Sequence, residues 1–265
     1  MRTWAFLLFS GSVFATGPFT QLGTAYQDTH SQFSSGDSAS ASGRYFSSQL
    51  TLGYEAKSWD AGVSVPYAVR DSTVQYQYAA PVQTINSSTQ DSGMSDPSLS
   101  ASGDVFGGNL YAPAVALTGA LSAPFGKNTL GLQTWHARPG VIFEYPAGEL
   151  RLAARFYGEI PFAAQASVAD QYRAYAGAGF TASYPVWRAL SLGADTNYAA
   201  GDFSRSAPSL RAGGFISIAE ILPNLSLYLG SQVELVRTDR DIFAVFSLRY
   251  NFADFELAPL PPLGG

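Results

Sequence analysis

The 265-residue chain has no cysteine, which excludes a disulfide framework, thiolate metal sites and cysteine nucleophiles. Charge is scarce: Asp, Glu, Lys and Arg make up 13% of the residues, about half the ~25% usual in soluble domains. Lysine occurs only at Lys57 and Lys127, and histidine only at His30 and His136. Two distant histidines among scattered carboxylates have no ligand spacing, so neither a metal nor a cofactor is expected. A net charge of −5 without a basic run offers phosphates no footprint, which excludes nucleic acid as a partner. After the amino terminus no stretch approaches the ~18 apolar residues of a membrane helix, and no helix-period pattern competes with alternation.

What is present is glycine (26), tyrosine (15) and phenylalanine (18), with apolar and polar residues alternating over ten-residue stretches. From Trp135 to Phe162 two such stretches flank Pro146-Ala147-Gly148-Glu149. In the first, Trp135, Ala137, Val141, Phe143 and Tyr145 share one side, opposite His136, Arg138 and Glu144. In the second, Leu150, Leu152, Phe156, Ile160 and Phe162 oppose Arg151, Arg155, Tyr157 and Glu159. A soluble sandwich would clothe its polar face with lysine. Here the charged face reads as enclosed and the apolar face as turned to lipid, which predicts an all-β, up-and-down antiparallel transmembrane barrel.

Alternation predicts twelve strands, at 19–28, 44–55, 59–67, 97–106, 112–124, 135–145, 150–162, 173–184, 189–198, 207–218, 225–236 and 241–252. Assigned to alternate sides, the linkers at 29–43, 69–96, 125–133, 163–172, 199–206 and 237–240 fall together and are mostly long. Those at 56–58, 107–110, 146–149, 185–188 and 219–224 fall on the other side and are short. That asymmetry matches outer-membrane barrels, whose periplasmic turns are short and whose outer loops are long. The same assignment puts Trp135, Phe162 and Tyr198 in an outer aromatic girdle and Tyr54, Tyr145, Tyr184 and Tyr250 in an inner one.

Residues 1–15 read as a secretory signal, with Arg2, an apolar run from Trp4 to Phe14 and cleavage after Ala15. The barrel is then expected over 16–252, with a Pro-rich periplasmic tail at 253–265 and both termini periplasmic. Tyr250-Asn251-Phe252 has the alternating aromatics of a closing strand presented to the barrel-assembly machinery, the expected partner in biogenesis.

The segments GVSVPYAVRD (62–71), SGMSDPSLSASGD (92–104) and LSAPFGKNTLGLQTW (121–135) resemble blocks of the outer-membrane proteins grouped with meta-pathway phenol degradation. In the block that resembles Gly-x-Gly-Asp, Ser95 replaces the second glycine. The resemblance implies a barrel that passes or binds small, often aromatic, compounds.

The expected lumen residues are His136, Arg138, Glu144, Arg151, Arg155, Glu159, Asp195, Arg211, Glu234 and Arg249. A two-residue Ala147-Gly148 turn sets Glu144 opposite Arg151 and His136 opposite Glu159. These charges serve either as a selective constriction or as mutual neutralisation inside a small lumen, and both roles are compatible. About 12 strands give a passage or pocket narrower than the water channel of 16–18-stranded porins. Residues 69–96 are the candidate plug, or else an exposed loop. The expected partners are membrane lipid and a small solute, and the expected function is transport without catalysis. One alternative is a lipid hydrolase of the phospholipase or deacylase type, for which His136 with Glu159 supplies half a site. The other is a structural or adhesive barrel that binds through its outer loops.

Overall fold

In the computed structural model, residues 17–35, 37–79, 82–108, 112–128, 130–132, 134–162, 173–200, 208–236 and 241–252 are described. The alternating stretches form β1 (Gly17–Ser35), β2 (Asp37–Glu55), β3 (Trp59–Ala79), β4 (Val82–Met94), β5 (Ser98–Phe106), β6 (Ala114–Ser122) and β7 (Trp135–Ala147). They continue as β8 (Leu150–Phe162), β9 (Tyr175–Trp187), β10 (Leu190–Ala199), β11 (Ser209–Leu222), β12 (Leu225–Glu234) and β13 (Ile242–Asn251). The expected signal through Ala15, the tail 253–265, the linkers 163–172 and 237–240, and nearly all of 199–206 lie outside the described residues.

Antiparallel pairing runs from β5 through β13, then to β1, β2 and β3, and back to β5, closing a ring of twelve strands. The thirteenth strand, β4, pairs among the described residues only with β3. Gly17 and Asn251 lie at the end with the short turns, opposite the end from which the long hairpins project.

Those hairpins correct the expected loops. The linker expected at 29–43 is largely strand, because β1 and β2 stay paired out to Ser35 and Asp37 after β13 leaves β1 at Asp28. The segment 69–96 is mostly hairpin: β3 pairs with β5 over Trp59–Ser64, then changes partner and pairs with β4 from Tyr67 to Ala79. Residues 84–90 are all exposed, so this segment is neither a plug nor an irregular loop but the outer part of a projecting four-stranded sheet. Consecutive residues 84–90 of β4 are exposed, so both faces of that strand meet water, which removes the apolar alternation that marks a strand in sequence.

The β7–β8 turn corrects the expected register. Ala147 pairs with Leu150, so the central residues are Gly148 and Glu149. Gly148 has φ 68°, and positive φ at the first central position alone is the type II′ pattern. As a result Glu144 faces Ala153 and Arg151 faces Pro146, while His136 faces Pro161 rather than Glu159. Between β11 and β12, Pro223 and Asn224 (φ 64°) supply the fixed φ and the left-handed residue of a type II turn.

Burial is inverted relative to a soluble protein. Among the described residues, seven buried side chains are hydrophobic and eighteen are polar or charged, whereas Leu52, Val63, Leu99, Leu117, Phe156 and Ile242 are more than half exposed. The apolar face therefore points outward around the ring, as it does when hydrocarbon replaces water. Aromatics flank this band: Trp135 stacks on Phe162 at 6.4 Å at one end, and Tyr54 packs on Trp59 at 5.7 Å at the other.

Candidate functional site

The inward positions enclose a cavity of about 300 Å³. Its two walls differ in chemistry. Strands β2, β3, β5 and β6 contribute small hydroxyls, Thr51, Ser64, Ser98, Ser100, Ser102, Thr118 and Ser122. Thr51 and Ser64 hydrogen-bond to each other at 2.8 Å. Strands β7 to β13 contribute most of the charges and rings, His136, Arg138, Arg155, Tyr157, Asp195, Asn197, Arg211, Tyr228, Gln232 and Phe243, while Asp60 on β3 adds a carboxylate to the hydroxyl wall.

Toward the long-hairpin end, Arg138 forms an ion pair with Glu159, which is wholly buried. This is the pairing that the corrected turn creates. Arg211 lies 3.5 Å from Glu234 and stacks over Phe243 with its guanidinium carbon 3.7 Å from the ring centroid. Glu234 also accepts from Ser209 Oγ at 2.5 Å and from the backbone N–H of Leu210 at 2.9 Å. Two of the cavity's arginines are thus neutralised by buried glutamates, a costly arrangement unless both partners remain in place.

In the middle, two long side chains reach across a glycine. Arg155 on β8 and Asn197 on β10 both register with Gly179 of β9. A Cβ on Gly179 would lie 2.4 Å from Arg155 Nε, so the bare backbone lets the guanidinium lie flat and its Nη2 donate to Asn197 Oδ1 at 3.2 Å. Likewise Gln232 and Asp195 both register with Gly213, and Gln232 Nε2 donates to the Asp195 carboxylate. Tyr157 lies over Gly177 in the same way, its hydroxyl 3.5 Å from Asn197 Oδ1.

At the short-turn end, Arg249 pairs with Glu55, donates from Nε to Asn251 Oδ1 at 2.9 Å and covers the Phe19 ring. Asp60 accepts from Ser102 Oγ at 2.8 Å. Glu144 is half-buried and Arg151 exposed beside the β7–β8 turn, and neither lines the cavity.

Of the ten expected lumen residues, His136, Arg138, Arg155, Asp195 and Arg211 line the cavity. Glu159 and Glu234 stand behind it as buried counter-ions, while Glu144, Arg151 and Arg249 belong to the short-turn mouth. Sequence reasoning missed Asn197, Tyr228, Gln232 and Asp60 as site members, and it missed the hydroxyl wall. The spacing Ser98, Ser100, Ser102 was the available signal, since period 2 puts all three on one face. The second histidine, His30, lies on β1, and its side chain is outside the described set.

The linker at 125–133 packs compactly. Leu130 and Thr134 are wholly buried and Leu132 nearly so. The Asp96 carboxylate, between β4 and β5, accepts the N–H of Gly126 at 3.0 Å and that of Leu132 at 2.5 Å. Ser95 Oγ donates to the Leu130 carbonyl at 2.8 Å, and Lys127 pairs with Asp91. Burial pushes the Asp96 carboxyl above its usual range, and the two N–H donors oppose that shift.

No protein-family model matches the chain, and no curated protein resembles it in sequence. Solved structures do resemble it in fold. An outer-membrane channel from Pseudomonas putida F1 superposes with a TM-score of 0.64 at 12% identity, over 94% of this chain and 100% of that one. The translocator domain of the autotransporter NalP from Neisseria meningitidis gives 0.53 at 11% identity, over 93% and 91%. The transport unit of the autotransporter AIDA-I from Escherichia coli gives 0.52 at 11% identity, over 94% of each chain. At such identities the likeness establishes the fold, a closed barrel of the outer-membrane type.

Proposed function

We propose that this chain is an outer-membrane channel that passes or binds small solutes through a narrow, charged lumen. The observation that carries the reading is the inverted burial: apolar side chains face outward around the ring, and the polar interior encloses a cavity of about 300 Å³. A ring of 12 strands is wider than the roughly 8-stranded barrels whose interiors side chains just fill, so the cavity has room for a small solute. The P. putida F1 neighbour, itself a channel, superposes in fold over its whole length. The short turns are placed on the periplasmic side, with both barrel ends there and the long hairpins outside. The membrane lipid and the assembly machinery are the partners this placement requires.

The solute class from the sequence resemblance, aromatic or hydrophobic compounds, is carried into the proposal, with Tyr157 and Tyr228 contributing rings to the lumen wall. A lipid hydrolase is disfavoured by placement. His136 registers with Ser122, and both are buried on the inner wall, away from the surface where lipid acyl chains lie. Liposomes containing the purified barrel should take up phenol-sized solutes faster than protein-free liposomes. Equal rates, together with ester release from phospholipid, would overturn the proposal in favour of the hydrolase.

A further inference from the structure

Among the arginines of the cavity wall, Arg155 differs from Arg138 and Arg211. Those two have buried carboxylates, Glu159 and Glu234. Arg155 makes one hydrogen bond, to the neutral Asn197 Oδ1, and its buried Nε has no partner among the described residues. A guanidinium has five N–H donors in a planar fork suited to a carboxylate. The nearest acid on the wall, Asp195, is one inward position along β10 from Asn197 and is held by Gln232. Asp195 acts on Arg155 electrostatically without hydrogen-bonding to it, so a cationic fork whose hydrogen bond goes to a neutral amide lies open to a cavity of about 300 Å³, an uncompleted anion site.

We infer that Arg155, with Asn197 beside it, binds the carboxylate of a small monocarboxylic acid in the mid-lumen, its remainder lying toward the hydroxyl wall of Ser98, Ser100 and Thr118. The cavity is at the lower end of the ~300–1,000 Å³ range of ligand pockets, so the acid is small. Single charge follows from the surroundings: Asp195 and Asp60 also line the cavity, and a dianion meets two carboxylates for one open guanidinium. This inference rests on the lumen being accessible to solutes, as proposed above.

Isothermal titration of the full chain in detergent micelles with butyrate, and with butyramide as the uncharged analogue, tests it. Butyrate should bind the native barrel more tightly than butyramide does. Arg155→Gln should weaken butyrate about tenfold or more, the loss of a charge-assisted hydrogen bond. Asp195→Asn should tighten it several-fold by removing a competing negative charge, a gain that a merely structural role would not produce. If Arg155→Gln fails to fold, Gly179→Ala gives the same test, because its Cβ displaces the guanidinium without removing it. Unchanged butyrate affinity in these variants, or butyramide bound as tightly as butyrate, would overturn the site. Titration needs no passage across a membrane, so the two readings fail separately. Butyrate binding without conductance retains the site and removes the channel, whereas conductance without butyrate binding removes the site alone.

Discussion

At the scale of single residues, the lumen is a set of charges that depend on one another. Glu159 is wholly buried and holds Arg138, so Glu159→Gln leaves a guanidinium in the wall without its counter-ion. Breaking a buried pair from one side costs ~3–5 kcal/mol. The expected outcome is a urea unfolding midpoint well below that of the native barrel, and an unchanged midpoint would show the pair to be solvated. Which face these residues occupy was legible from period 2 alone. Their partners were not, because Pro-Ala-Gly-Glu admits two turn placements and the register follows the glycine with positive φ. Arg155 with Asn197, and Gln232 with Asp195, were hidden for a different reason: each pair spans two strand spacings over a glycine, and nothing local to either residue reports that crossing.

At the scale of elements, the projecting hairpins and the described residues of the 125–133 linker set the long-hairpin end. Strand β3 keeps its ring partners β2 and β5 below Ser64 without help from β4. Replacing 72–90 by a short Gly-Ser turn should therefore leave a folded, heat-modifiable barrel on gels, and loss of folding would make the hairpin part of the barrel's stability. Asp96 holds the linker through two backbone N–H groups, so Asp96→Ala should expose the segment around Lys127 to trypsin. Its pH dependence has a definite sign. The folded carboxyl is raised above its unfolded value, so its contribution to stability is full below the unfolded pKa and is lost as pH rises through the folded one. Tryptic cleavage of the native linker should accordingly increase over that interval, and Asp96→Asn should abolish the dependence. The twelve ring strands were readable because lipid and lumen impose opposite polarities on alternate residues. The projecting strand β4 was not, since water on both sides of residues 84–90 leaves Ser, Thr and Gln with no pattern to follow.

At the scale of the whole molecule, scarce charge and one-sided alternation both follow from building a wall between hydrocarbon and a wet interior. Closure of the ring was foreshadowed by the even strand number, and the asymmetry of the connections was legible in their lengths. The contents of the lumen were only partly so, because a one-dimensional pattern tells inside from outside but not which inward residues meet across the barrel. The central claim is that this interior is a passage and not only a brace. Single-channel recording in planar bilayers tests it most directly: the native barrel should give discrete current steps, smaller than those of a 16–18-stranded porin, as expected for a 12-stranded ring. A fully inserted, heat-modifiable barrel that shows no steps at any voltage would contradict it.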